Sequence, residues 1–228
     1  STLSSSSAAS DVYKRQILIM AHNWDNFSKF TKLVCAFLPM ILGEVLLGYS
    51  IFKDKNMAWK EAATAFLFFA VGACIALVSQ VYHVSGDLES FLLVWIVLCV
   101  PLLYVTKSKT AVILYLFFIT YFAIEAGYDR STTIPQLYFV LFALSLPRYY
   151  QMIQSKIPSS VTSILHWLFP LSFHISIPIC IEQNDAIGFL MFLTFFGILY
   201  NIGQLPYFKN KSLLQNGYRV LGSLGTII

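Results

Sequence analysis

Long apolar runs separated by short polar breaks dominate this chain. Seven runs approach the roughly 20 residues that an α-helix needs to cross a hydrocarbon core of about 30 Å. They fall at residues 33–52, 62–81, 88–106, 110–127, 134–147, 160–181 and 186–205. The apolar residues are continuous and do not alternate at every second position, which argues for helices and against a β-barrel. The fifth run is short and bounded by Pro135 and Pro147. The sixth contains Pro170 and Pro178, so a kink or a broken helix is expected there. The pattern predicts an all-α, polytopic transmembrane helix bundle of about seven full spans. The short breaks leave no room for a separate soluble domain, and no internal repeat supports an inverted-repeat transporter.

The two ends read differently. Residues 1–16 are a Ser- and Ala-rich stretch followed by Asp11-Val12-Tyr13-Lys14-Arg15-Gln16, with no apolar core of a signal peptide. The string from Ser7 to Gln16 resembles translated sequencing-adaptor read-through, so 1–16 is expected to be an artefactual or disordered leader. Residues 17–228 are expected to form a single transmembrane helical domain. Its apolar residues begin abruptly at Ile17 and stop abruptly at Ile228, as in a fragment with truncated helices at both ends.

Composition agrees with the pattern. Of the 228 residues, 57% are hydrophobic, 16% aromatic and 11% charged, and the mean hydropathy is +0.70. An average soluble domain is about a quarter charged. A soluble enzyme, a disordered tail, a disulfide scaffold and a nucleic-acid-binding domain are excluded on this ground.

Loop charges assign the sides. If the seven spans alternate, one side carries Lys29, Lys32 and Arg130. The other carries Lys53, Lys55, Lys60, Lys107, Lys109, Arg148, Lys156, Lys209, Lys211 and Arg219. The positive-inside rule then makes the loops near 53–61, 107–109, 148–159 and 206–219 cytoplasmic. The net charge of +4 is mostly this topology signal and no nucleic-acid patch. The acids lean to the outer side, with Asp25, Asp87, Glu89, Asp129, Glu182 and Asp185 there and Asp54 and Glu61 opposite. The cysteines Cys35, Cys74, Cys99 and Cys180 form no C-x-x-C pair and read as small packing residues. Cys35 and Cys180 lie near the outer boundary, where a disulfide stays open.

One stretch is distinctive. Gln80-Val81-Tyr82-His83-Val84-Ser85-Gly86-Asp87 closes a span that opens with Trp59-Lys60-Glu61-Ala62. Leu93-Val94-Trp95 and Pro101-Leu102-Leu103-Tyr104 follow, and Ala21-His22-Asn23-Trp24-Asp25 lies upstream. Together these residues resemble a prokaryotic integral-membrane family, domain of unknown function 2157, over about residues 17–126. The resemblance implies a bacterial inner-membrane protein and a helix preceding residue 22. It carries no established activity.

Few residues within the spans offer chemistry. Glu44 lies near the middle of the first, where an ionised carboxylate is costly and must be neutralised, paired or wetted. It reads either as a proton- or cation-handling acid or as a neutral carboxyl hydrogen-bonded between helices. Gly43 and Gly48 beside it allow close helix approach. Gln80, His83 and Asp87 are spaced i, i+3 and i+7, which gives one face if the helix continues to Gly86. Such a face would bind a polar ligand, a metal or a proton from outside. Alternatively the same residues mark a helix terminus, with Ser85-Gly86-Asp87 in a turn and Tyr82 and His83 in the interfacial belt. Glu125, near the outer end of its span, is placed to point toward His83.

His166 and His174 flank Pro170 and read as a shared ligand or as two interhelical hydrogen bonds. Asn201 and Gln204 read as interhelical polar contacts, Trp24 and Trp59 as interfacial anchors, and Gly72 with Ala76 as a small-residue packing step. No phosphate loop, dinucleotide fingerprint, H-E-x-x-H or G-x-S-x-G is present.

The expected function is a multi-pass inner-membrane structural or interaction protein. The candidate polar site is Glu44, Gln80, His83, Asp87 and Glu125, with no catalytic residue, metal or cofactor expected. Its partners are the lipid bilayer and other membrane proteins, with no nucleic acid. The alternatives are binding or transport of an ion or small polar solute, and a membrane-embedded hydrolase or transferase built on His83, Asp87, His174 and Glu182.

Overall fold

A computed structural model of the chain describes residues 24–128, 136–154, 160–180 and 185–225. Among these residues the regular structure is helical and no strand occurs. The helices are α1 (Lys29–Phe52), α2 (Met57–Tyr82), α3 (Leu88–Val105), α4 (Lys109–Tyr128), α5 (Leu137–Gln154), α6 (Ser160–Cys180), α7 (Asp185–Gly203) and α8 (Gly217–Leu224). Short 3-10 turns cover Trp24–Asn26, Pro206–Phe208 and Leu213–Gln215. The leader 1–16, Pro135 and Glu182 lie outside the described residues.

The breaks between runs work because their polar residues cap the next helix. Ser28, Asn56, Asp87 and Asn216 each accept a backbone N–H three residues on, from Thr31, Trp59, Ser90 and Arg219, at 2.8–3.2 Å. Each such cap satisfies one of the orphan amides of a helix start and is worth about 1 kcal/mol.

Helix α4 is the centre of the bundle and packs on α2, α3, α5 and α6. Val112, Tyr115, Leu116, Ile119, Phe122, Ala123 and Ala126 along it are all 0–1% exposed. Helix α1 is the opposite case. It packs on α2 through Ala36, Gly43, Leu47 and Ser50, and only 17% of its span is buried, against 50% for α4. Gly43 makes the approach close: a Cβ there would stand 3.1 Å from Leu67, which would have to shift by a few tenths of an ångström.

Five helices, α1, α2, α3, α4 and α6, are long and apolar enough to cross a membrane among the described residues. The other two expected spans correspond to α5 and α7. The fifth was expected to stop at Pro147, yet α5 continues two turns beyond it to Gln154. Proline removes one helix hydrogen bond. Burial of Arg148, Tyr149 and Met152 against neighbouring helices outweighs that loss, and the Tyr104 hydroxyl donates to the Leu144 carbonyl near the break. The extension brings in Arg148, Tyr149, Tyr150 and Gln151, which makes α5 less apolar. Helix α7 runs over 19 residues, Asp185–Gly203, and its stretch Leu193–Gly203 is apolar.

The segment expected to be an inner loop, 206–219, also holds more structure than a loop. After α7 the chain folds back, and the short α8 returns against α6 and α7. Glycines permit the close approach. A Cβ on Gly203 would meet the Arg219 backbone at 2.6 Å, and one on Gly222 would meet the Tyr200 backbone at 2.4 Å.

Candidate functional site

The five candidate residues do not form one constellation. Helix α2 ends at Tyr82, so Gln80, His83 and Asp87 do not share a helix face, contrary to the spacing argument. His83, and not Gly86, terminates the helix. It adopts the left-handed conformation with φ 51°. The His83 N–H reaches the Gln80 carbonyl at 3.4 Å and the Val84 N–H reaches Ser79 at 3.0 Å. These are the 5→2 and 6→1 bonds of a Schellman motif, usually closed by glycine. Asp87 then starts α3, its carboxylate accepting the Ser90 N–H at 2.8 Å. The chain thus breaks between α2 and α3 at Ser85-Gly86-Asp87, the helix boundary that the terminus reading expects. Glu125 lies half-buried in the last turn of α4, and no hydrogen bond or ion pair joins it to His83.

Glu44 sits in the body of α1, exposed on the flank of the face that packs on α2. Phe37, Ile41, Glu44 and Gly48 follow at i, i+4, i+7 and i+11, the spacing of a helix–helix seam. Phe37 and Ile41 are 40% and 53% exposed, and a Cβ on Gly48 would meet nothing within 4 Å. No hydrogen bond or ion pair reaches the Glu44 carboxyl among the described residues. Phe37 and Ile41 of this seam line an open apolar groove along α1.

Polar groups elsewhere in the bundle serve each other. Thr120 and Tyr138 both bond the Ser172 hydroxyl, at 2.6 and 2.8 Å, joining α4, α5 and α6. Tyr115 donates to the Leu141 carbonyl at 3.0 Å. Trp95 Nε1 donates to the Phe68 carbonyl at 2.8 Å, and its indole fills the space left by Gly72. Gly72 thus admits an aromatic ring from α3, and Ala76 is exposed. Cys35, Cys74 and Cys99 carry free thiols.

Two clusters escaped the sequence reading, both at the Lys/Arg-rich end of the bundle. In the first, Glu61 on α2 covers the N-terminus of α4. Its carboxylate accepts the Lys109 and Thr110 amides at 2.9 and 2.8 Å and the Ser108 hydroxyl. An anion placed there also offsets the positive end of the helix dipole. The preceding Lys107 turns with φ 52°, and its carbonyl accepts from Arg148 Nη2. Arg148 is 8% exposed and donates also to Gln151 Oε1 at 3.1 Å.

The second cluster surrounds His166, which is fully buried in α6. The Lys211 ammonium lies 3.0 Å from its Nε2 and the Tyr149 hydroxyl 2.7 Å from its Nδ1. An ammonium has no lone pair, so Nε2 accepts from Lys211 and the ring proton sits on Nδ1, donating to Tyr149. Tyr218 donates to the Tyr149 hydroxyl at 2.9 Å. Burial pushes the Tyr218 phenol up, so it stays neutral. His174 lies apart, packed on Phe195 and Phe196, so the two histidines share no ligand. The lone signal for this cluster in the sequence was a histidine inside a span. Its partners come from two other segments.

Among the described residues, no group of three His, Cys, Asp or Glu side chains is placed to hold a metal ion. No curated protein and no solved structure matches the chain. The family match lies in the N-terminal part. Residues 16–112, which run through α1, α2, α3 and into the start of α4, match the family of predicted membrane proteins designated DUF2157, the family that the Gln80–Asp87 motif resembles.

Proposed function

We propose that this chain is a structural or interaction protein of the bacterial inner membrane, which assembles through the Phe37–Ile41–Glu44–Gly48 seam of α1. The observation that carries the reading is the position of Glu44. A carboxyl at mid-span costs about 3 kcal/mol when left in lipid. It lies on the least buried of the five candidate spans, one turn from Gly48, where a Cβ would meet nothing within 4 Å. A second copy of the chain is the occupant the chemistry favours. A protonated carboxyl both donates and accepts, so two Glu44 groups satisfy each other across a two-fold axis. The remaining candidates, Gln80, His83, Asp87 and Glu125, are assigned to the outer end of the bundle, where His83 and Asp87 end and begin helices. A transport role would need Glu44 to line a path across the membrane. Residues 17–228 act as one domain, with the loops near 53–61, 107–109, 148–159 and 206–219 on the cytoplasmic side.

The test is a Gly48→Cys variant, with native cysteines replaced, oxidised in native membranes. A covalent dimer is expected. Adding Glu44→Leu should abolish it, whereas Glu44→Gln, which keeps a donor and an acceptor, should retain it. No dimer, or a dimer indifferent to Glu44→Leu, overturns the reading.

A further inference from the structure

The segment between α7 and α8 drives a cation into the end of the bundle. Lys211 is half-buried, with its Nζ 3.0 Å from His166 Nε2, 3.8 Å from the Tyr207 ring centroid and 5.5 Å from that of Phe208. All three partners are neutral. No carboxylate pairs with Lys211 among the described residues, and residues 186–228 contain no Asp or Glu, although Lys209, Lys211 and Arg219 fall there. A half-buried cation without a counter-charge among the described residues is less well solvated than a free one and favours an approaching anion.

The hydrogen-bond inventory says what form it takes. His166 Nε2 has a single lone pair, and Lys211 occupies it. The Tyr207 hydroxyl, 3.3 Å from the same nitrogen, is a second and longer donor to a lone pair that Lys211 already engages, so its proton can turn to a better acceptor. Lys211 has N–H bonds to spare beyond the one given to His166. Ammonium and phenol together present donors to an oxyanion. Leu213 and Leu214, 60% and 82% exposed, flank the segment with bare apolar side chains suited to the acyl region of a bilayer.

The geometry points to a phosphate site at this end of the bundle, in which Lys211 and Tyr207 bind the oxyanion and His166 is the positioning residue that aims the lysine. A lipid headgroup and free inorganic phosphate share this chemistry, and the exposed leucines favour the lipid.

The purified, delipidated full chain in detergent tests this by native mass spectrometry with phosphatidylglycerol, using diacylglycerol as the phosphate-free control. Phosphatidylglycerol should bind, and Lys211→Gln should weaken it about fivefold, the effect of one cation near an anionic surface. Lys211→Arg should retain binding and Lys53→Gln should leave it unchanged. Tyr207→Phe, which removes only the hydroxyl, should also weaken it and serves if Lys211→Gln fails to fold. A parallel thermal-stability titration with inorganic phosphate separates the sources. Stabilisation by phosphate that depends on Lys211, without lipid binding, assigns the site to a soluble oxyanion. Binding of neither probe that responds to Lys211 or Tyr207 overturns the proposal.

Discussion

Removing the Glu61 carboxylate should be among the most damaging single changes in the N-terminal half. Glu61→Ala deletes an acceptor that holds two backbone amides and one hydroxyl at the start of the central helix, α4. A hydrogen bond to a charged group is worth about 1.5–3 kcal/mol, and a helix cap about 1 kcal/mol. The three bonds share one carboxylate that is only partly buried, so they do not add, and water replaces part of what is lost. A total of about 3 kcal/mol is the reasonable expectation for Glu61→Ala. Glu61→Gln keeps one carbonyl oxygen and should lose about half of that. The buried Arg148 guanidinium feels the same carboxylate, so its environment worsens in both variants. The assay is equilibrium unfolding in mixed detergent micelles, read by tryptophan fluorescence. Asp54→Ala is the control, because Asp54 is paired with Lys60 at 2.7 Å but is fully exposed, and such pairs contribute little. The cap argument fails if Glu61→Ala loses no more stability than Asp54→Ala.

Two further outcomes are expected. Gly72→Ala should destabilise by about 1–3 kcal/mol, because a Cβ there would stand 2.4 Å from the Trp95 indole, which is pinned by its bond to Phe68; the same unfolding assay checks it, and Ala76→Val, on an exposed position, should be near neutral. A cysteine at Lys107, with native cysteines replaced, should resist an impermeant thiol reagent in intact cells and react after permeabilisation; labelling in intact cells would reverse the assigned orientation.

What the sequence reveals follows from how far each interaction reaches along the chain. Apolar length and loop charge are local, so the α1, α2, α3, α4 and α6 spans emerge within a few residues of their observed bounds. Caps are local too, and the alternative reading of Ser85-Gly86-Asp87 as a helix boundary was already physical. The terminating residue was misassigned because glycine is the commonest left-handed cap, whereas here histidine takes that conformation. Interactions that join distant segments are invisible to such reasoning. Glu61 bonds residues 47–49 positions away, and Lys211 meets a histidine 45 positions before it. Both looked like loop charges, and both charges turn inward.

That inward turn separates the three ionisable residues that matter most. Glu61 and Lys211 lie at the cationic end of the bundle, where a charge reaches water or a headgroup within a few ångströms. Each can afford to serve a neighbour, Glu61 the start of α4 and Lys211 the ring of His166. Glu44 has no such exit. Eight residues of α1 separate it from Phe52, about 12 Å at 1.5 Å per residue. A glutamate side chain cannot cross that distance to the interface, unlike a lysine or arginine near a helix end. Its carboxyl must therefore be answered at depth, and among the described residues no hydrogen bond or ion pair reaches it. For that reason the assembly reading depends on Glu44 alone and would survive the loss of any role for the outer-end residues.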